Sequence, residues 1–361
     1  MITAPPYARL NAILLSILTT FVIGFVLLEL KVVLLPFAIA AMITILLKPL
    51  VRYMHEKGVP FAFTMLAVVA SITLVGFLFV IILTSTISQF IAELPGYRGK
   101  FELLVSDGQA FIERFALFFG IPAEEVELPQ LNFSYISTAA RAGLNTLFNF
   151  LSTAFLIILF LLFMLIGSGQ AEKKVKMAFP EEMADRITLT IKNIGSQVRR
   201  YLLTKTLVSL ITGLLTFLVL WFMGVDFPII WGFTTFLFNF VPNVGSMASI
   251  ILPFLLSLLQ FDGLMVPIVT LILLGAVQVL MGNFLEPRIL GYNLNLSPLL
   301  ILVSLIVWGW LWGIGGMILA VPITATIKIV LGNIETFKPL SVMMSGANGK
   351  LAPPTESTGT G

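Results

Sequence analysis

The sequence predicts an all-α, polytopic transmembrane fold of about eight membrane helices, with Pro- and Gly-broken segments in the C-terminal half. Three observations predict it. Only 11% of the residues are charged while 58% are hydrophobic, against roughly 25% charged in a soluble domain. The apolar residues fall in long runs, as bilayer-spanning helices of about 20 residues require. The remaining charge is sorted by loop, and the placement of Lys and Arg is what sets orientation in a membrane.

The first helix covers residues 12–28, followed by Glu29 and Lys31 and then the second, 32–47, with Pro36 near its start, where a missing N–H costs little. Together they form a tight hairpin. The loop 48–60 is basic, with Lys48, Arg52 and Lys57 against Glu56, and a third helix spans 61–87. An acidic insert, 88–143, holds seven acids against four bases. In it Phe101, Leu104, Val105, Ile112, Phe115 and Phe119 recur at helical spacing, predicting a separate amphipathic helix on the membrane or on the helix ends. The fourth helix lies within 144–167. The next stretch is basic: eight Lys and Arg, ending at Lys205, face four acids. It reads as a cytoplasmic amphipathic helix, 168–201, started by Pro180 with Glu181 and Glu182 in its first turn. It runs directly into the fifth membrane helix, about 202–223. The basic loops belong inside and the acidic insert outside, so the N-terminus is expected in the cytoplasm.

Beyond residue 225 charge nearly vanishes and helix breakers multiply. Residues 227–259 are too long for one straight span and are cut at 239–246; residues 299–331 are also overlong and broken. Each is either one kinked span or a re-entrant hairpin; counted as single crossings, they leave both termini inside. The C-terminal membrane core is placed at 202–332 and a tail at 333–361, whose end is rich in Gly, Pro, Ser and Thr and reads as disordered.

Composition also excludes. A net charge of +3 is too small to suggest a nucleic-acid partner, and the absence of cysteine removes disulfides, thiol chemistry and Cys-based metal sites. The single histidine, His55, lies in a polar loop beside Glu56 and Lys57, so no multi-histidine constellation exists. Gly96-Tyr97-Arg98-Gly99-Lys100 fails the spacing of a phosphate-cradling loop, and no G-x-S-x-G elbow occurs. The chain is therefore expected to be no enzyme, to hold no cofactor or metal, and to work without ATP.

Three constellations remain. At 239–246, Pro242 breaks the backbone ladder where Asn239, Asn243, Gly245 and Ser246 gather amides, a hydroxyl and a close-approach glycine. Such breaks coordinate polar substrates or cations in secondary transporters, or are proline kinks patched by neighbours. On the seventh helix, Gly275, Gln278, Gly282 and Glu286 share one face, with Asn283 beside them. Pro287 is expected to push Glu286 out of helical geometry, and Arg288 to be its partner or a substrate contact; the bland reading is an ion pair ending a helix at the headgroups. Gly309, Gly313, Gly316 and Ala320 form a small-residue stripe for helix packing, with Gly315 and Pro322 as breaks.

The motifs Tyr201-Leu202-Leu203-Thr204-Lys205, Asn239-Phe240-Val241-Pro242-Asn243-Val244-Gly245-Ser246, Leu285-Glu286-Pro287-Arg288-Ile289-Leu290-Gly291, Leu296-Ser297-Pro298 and Trp308-Gly309 to Gly316 with Ala320-Val321-Pro322 resemble the autoinducer-2 exporter family of permeases. The resemblance implies a homo-oligomeric multi-pass protein of the bacterial inner membrane. Some members of that family export autoinducer-2, and others exchange sodium or lithium for protons. The expectation is a secondary transporter of a small polar solute such as autoinducer-2, its hydroxyls met by the amides of 239–246 and oriented by Arg288. One alternative is a cation/proton antiporter with Glu286 as proton carrier. Another is a non-transporting scaffold or accessory subunit.

Overall fold

A computed structural model describes residues 6–119, 132–168, 170–242, 244–290 and 296–346. Among these the secondary structure is helical, apart from one isolated bridge between Leu296 and Ser345. Glu124, Glu125 and Glu127 of the insert, Asn243, the stretch 291–295 and the tail beyond 346 lie outside the described residues.

The N-terminal half consists of long, continuous helices. α1 (Pro6–Glu29) and α2 (Lys31–Glu56) are joined through the single residue Leu30 at φ −87° and ψ 11°. This is a kink and not the expected tight hairpin, since the Leu30 and Leu34 N–H groups still reach back four residues to the Val26 and Leu30 carbonyls. α2, α3 (Phe61–Phe118) and α4 (Ser134–Ser168) share an apolar core of Ala40, Val51, Met65, Val68, Ile157, Leu161 and Leu165. The third helix does not stop at residue 87. It continues for 58 residues, about 87 Å at 1.5 Å per residue, taking the predicted amphipathic helix into the same rod. The reason is local: Pro95 removes one hydrogen bond, but no glycine lies between residues 77 and 95 to end the helix.

α5 (Ala171–Ala178) leads into α6 (Glu181–Met223), the expected union of basic helix and fifth span in one piece. Gly224 ends α6 in the left-handed conformation at φ 68°, which glycine adopts without Cβ strain. Two ends of the bundle can now be distinguished: an acidic end, carrying the extension of α3, and a basic end, carrying α5 and the start of α6.

The overlong segment after Gly224 is a hairpin. α7 (Pro228–Phe238) and α8 (Val244–Gln260) leave from and return to the same end. The Gln260 amide donates to the Gly224 carbonyl at 2.7 Å and accepts from the Asp226 N–H at 2.9 Å, closing the base. Leu256 of α8 packs with Leu220, Val225 and Phe227 around Tyr97 of α3, so the base lies at the acidic end. Eleven residues give α7 a length of about 17 Å, too short to cross. At the tip, a Cβ on Gly245 would run into the Phe238 carbonyl, so only glycine permits this tight reversal.

α9 (Met265–Val279), extended by a π-turn over Leu280–Leu285, then returns to the basic end and meets the short α10 (Glu286–Leu290). α11 (Pro298–Gly332) is the second hairpin, reversing at Gly313 with φ 65° and ψ −146°. Ser297 caps its start by accepting from the Leu300 N–H at 3.2 Å. The arms lie so close that a Cβ on Gly316 would strike the Trp308 carbonyl, and Gly309 faces Met317 across the gap. This corrects the stripe reading. Gly309, Gly313, Gly316 and Ala320 do not line one helix face, because Gly313 is the turn between two arms. Gly315 abuts Leu35, Trp312 donates to the Leu27 carbonyl at 3.0 Å, and Pro322 is buried within the second arm. The bundle closes with α12 (Lys338–Met343).

Among the described residues five helices are long and apolar enough to cross a bilayer when the two arms of α11 are taken together, or six if α4 and α5, bent by 54°, count as a further span. The expected eight single crossings are not what the chain builds, since two of them are hairpins. This matters for the site. Two reversals leave the parity of the chain ends unchanged, but the first of them, which precedes Glu286, moves it to the opposite end of the bundle from where eight crossings would put it.

Candidate functional site

α6 is the spine of the site. Its buried face reads Tyr201, Lys205, Ser209, Thr212 and Thr216, a polar stripe at helical spacing inside an otherwise apolar run. The helix–helix contact supplies the rest. Gly213 faces Gly232 of α7 so closely that a Cβ there would lie 2.6 Å from the Gly232 carbonyl oxygen. Small residues on both helices let the backbones approach this far.

Two of the predicted constellations dock on adjacent turns of this stripe. Asn239, at the tip of the first hairpin and buried, donates from Nδ2 to Ser209 Oγ at 2.9 Å. Four residues along, Lys205 Nζ meets Glu286 Oε1 at 2.5 Å, with the two side chains only 6% and 22% exposed. Four residues are about 6 Å of helix rise, so the hairpin tip and the carboxylate reach α6 one turn apart. An ion pair this buried persists only when each charge is matched, since either alone in a low-dielectric interior is costly.

The pairing expected from sequence is corrected here. Arg288 is exposed and is not the partner of Glu286; Lys205, counted from sequence as the last base of the cytoplasmic stretch, is. Nor does Pro287 push Glu286 out of helical geometry, for Glu286 sits at φ −57° and ψ −49°. The strain is taken up one turn earlier by the π-turn, whose extra residue reorients the following side chains and which recurs at functional sites. Of the other candidates, Gln278 and Ser246 are half-buried, Gly245 is buried, Pro242 is half-buried at the hairpin tip, and Asn283 is exposed.

The second hairpin supports the first. Val241 at the tip of α7–α8 packs against Leu305 and Ala320, one from each arm of α11. Around the basic end of the stripe, Val198, Tyr201 and Leu202 pack with Val321, Ala325 and Ile329. Among the described residues several hydroxyls and one indole N–H are buried without a hydrogen-bond partner, including Tyr201 Oη, Thr235 Oγ1, Thr270 Oγ1 and Trp231 Nε1.

Sequence reading missed Lys205, Ser209, Thr212, Thr216 and Tyr201 as site residues. The signal was present: a lysine followed by hydroxyls at i+4, i+7 and i+11 in an apolar run. It was read instead as the edge of a basic loop.

At the acidic end, Tyr97 Oη donates to Asp226 at 2.5 Å, and Lys100 Nζ binds Asp262 at 2.9 Å and also the Phe261 carbonyl. The extension of α3 is thereby fastened to the base of the first hairpin and the start of α9. Burial, then the bond to Asp226, push the Tyr97 phenol well above its ordinary range.

This architecture has relatives. Residues 13–336 match the model of the AI-2E family transporter. The AI-2 transport protein TqsA of Escherichia coli is 32% identical over 322 residues, covering 88% of this chain and 90% of its own length. A Borreliella burgdorferi protein with a provisional transport name is 31% identical over 264 residues, 73% of this chain and 70% of its own. YhhT of Escherichia coli, likewise provisionally named for transport, is 30% identical over 310 residues, 85% of this chain and 86% of its own. A polar stripe buried in a helical membrane bundle, two hairpins closing on it, and a family match spanning nearly the whole chain lead to one statement: the chain belongs to the AI-2E family of membrane transporters.

Proposed function

We propose that the chain carries a small polar solute of the autoinducer-2 type across the bacterial inner membrane, without ATP, along the buried polar face of α6. One observation carries the reading: the hairpin tip and the Glu286 carboxylate converge on Ser209 and Lys205, one turn apart in an otherwise apolar bundle. Hydrocarbon tolerates broken helices and ion pairs only where they are buried in protein or line a cavity, and such convergence marks substrate pathways. The name of the TqsA relative supplies the solute. With the basic end inside, both termini face the cytoplasm, and the α3 extension, held to Asp226 and Asp262, covers the outer mouth.

The test is efflux of autoinducer-2 from proteoliposomes. Glu286→Gln should abolish efflux and Asn239→Ala slow it, whereas an exposed change such as Arg288→Gln leaves it near wild type. Undiminished efflux from Glu286→Gln sinks the pathway assignment. Exchange of sodium or lithium for protons gains no support from this geometry, because the Glu286 carboxylate is already matched by Lys205. A sodium-dependent pH change in the same liposomes, lost in Glu286→Gln, would reverse that judgement.

A further inference from the structure

We infer that Tyr201 is a solute-recognition residue, its phenolic Oη bonding a hydroxyl of the solute that occupies the Lys205–Glu286 site. The inference rests on the pathway reading above and adds to it a residue and a solute class.

Tyr201 lies one turn from Lys205 on the same face of α6 and within electrostatic reach of the Glu286 carboxylate. Its ring packs among Val198, Val321, Ala325 and Ile329, an environment that phenylalanine would fill equally well. The residue is 5% exposed, and its hydroxyl has no hydrogen-bond partner. Buried hydroxyls in folded proteins are nearly always bonded, so an orphan calls for a reason. Neighbours on the stripe do have partners: Thr212 donates to the Val208 carbonyl at 2.8 Å, and Ser209 accepts from Asn239. Thr188, Thr235 and Thr270 are also orphaned, but a threonine hydroxyl can turn to a carbonyl of its own helix. The Trp231 indole N–H is orphaned too, but it packs with Val225 and Phe227 at the acidic end, away from the ion pair. A phenol, held at the far side of its ring, has no such local alternative. Its missing partner must come from elsewhere.

The three groups define a class of ligand. Lys205 donates, Glu286 accepts, and the Tyr201 hydroxyl does either. Lysine and glutamate cancel in charge, so the site favours an uncharged solute over a cation. With Tyr201 and Lys205 one turn apart on α6 and Glu286 on Lys205, these groups suit a small molecule carrying more than one hydroxyl.

The experiment is Tyr201→Phe in proteoliposomes, with autoinducer-2 and an analogue lacking one hydroxyl as probes, and a melting curve as control. A site built to bond a hydroxyl discriminates strongly against its loss. The expected result is a KM for autoinducer-2 raised roughly tenfold or more, with little change in Vmax. The analogue, lacking the hydroxyl that Tyr201 bonds, should show a raised KM on the wild type and no further rise on Tyr201→Phe. The melting temperature should hold or rise, because an unbonded buried hydroxyl has been removed. An unchanged KM overturns the inference and makes Tyr201 a packing residue; a fall in Vmax at constant KM overturns it in favour of a conformational role. Either result leaves the pathway reading standing if Glu286→Gln is inactive. A wild type that moves neither probe overturns both.

Discussion

The two halves of the chain treat the same solvent differently. In α1 to α4 the helices run unbroken and meet through aliphatic side chains around Leu161, with Thr44 satisfied by its own helix through the Ala40 carbonyl. From α6 onward the helices turn back after Phe238 and at Gly313, and the packing face carries lysine, glutamate, asparagine and a run of hydroxyls. Both halves lie in hydrocarbon, where a buried polar group has to find its partner in protein. The first half avoids the requirement, and the second meets it through specific pairs. On the proposed pathway, the difference separates frame from working part.

The comparison breaks most visibly at the ion pair. Removing one partner, by Lys205→Met or Glu286→Gln, leaves a buried group unmatched and should cost about 3–5 kcal/mol. It should also abolish efflux. Lys205→Met with Glu286→Leu together should recover most of the stability and none of the efflux, read from thermal unfolding in detergent beside the transport assay. If the double variant transports, the pair is only structural.

Glycine gives a sharper contrast. Gly213→Ala forces a Cβ to within 2.6 Å of the Gly232 carbonyl and should destabilise by about 1–3 kcal/mol through overpacking. Gly76→Ala in α3 meets nothing within 4 Å and should stabilise by about 0.4–1 kcal/mol, because alanine has less backbone freedom to lose. Equal effects on the melting temperature would remove the distinction between the halves. Smaller still is Asn239→Ala, expected to cost about 0.6–1.7 kcal/mol, the range for hydrogen bonds between membrane helices. Its double-mutant cycle with Ser209→Ala should show coupling.

The smallest effect lies outside the membrane. Tyr97 is held above its ordinary range, so its contribution is complete below pH about 10, the unfolded phenol's value. It is lost as pH rises toward the higher folded value, because only the unfolded chain then releases the proton. Tyr97→Phe should flatten the alkaline decline in stability, followed by unfolding between pH 9 and pH about 11.

How much of this was legible beforehand depended on whether a feature is local. The join of the basic helix to α6 and the break at Pro242 are written in neighbouring residues, and sequence reading found both. It placed the junction at Leu30 as well but took a kink for a hairpin, because charge beside an apolar run does not show how far the chain turns. The hairpin at Gly313 was half legible: the glycines were seen, but their spacing also fits one packed stripe, and only φ 65° decides between them. Lys205 was counted with the basic loop because charge sorting treats every lysine beside a span as solvated. What buries it is Glu286, 81 residues away, delivered by a hairpin whose reversal could not be told from a kink.

One feature of the path to Glu286 has a mechanical meaning. The six residues from Leu280 to Leu285 form a wider coil than the helix above them, holding slack of about one residue. Taking up that slack would rotate whatever follows by about 100°, enough to carry Glu286 off Lys205 without unwinding a turn. The same coil could as readily return it. On the pathway reading, the grip between α9 and α6 would then slip by one residue at a time, with the ion pair marking one of its two settings.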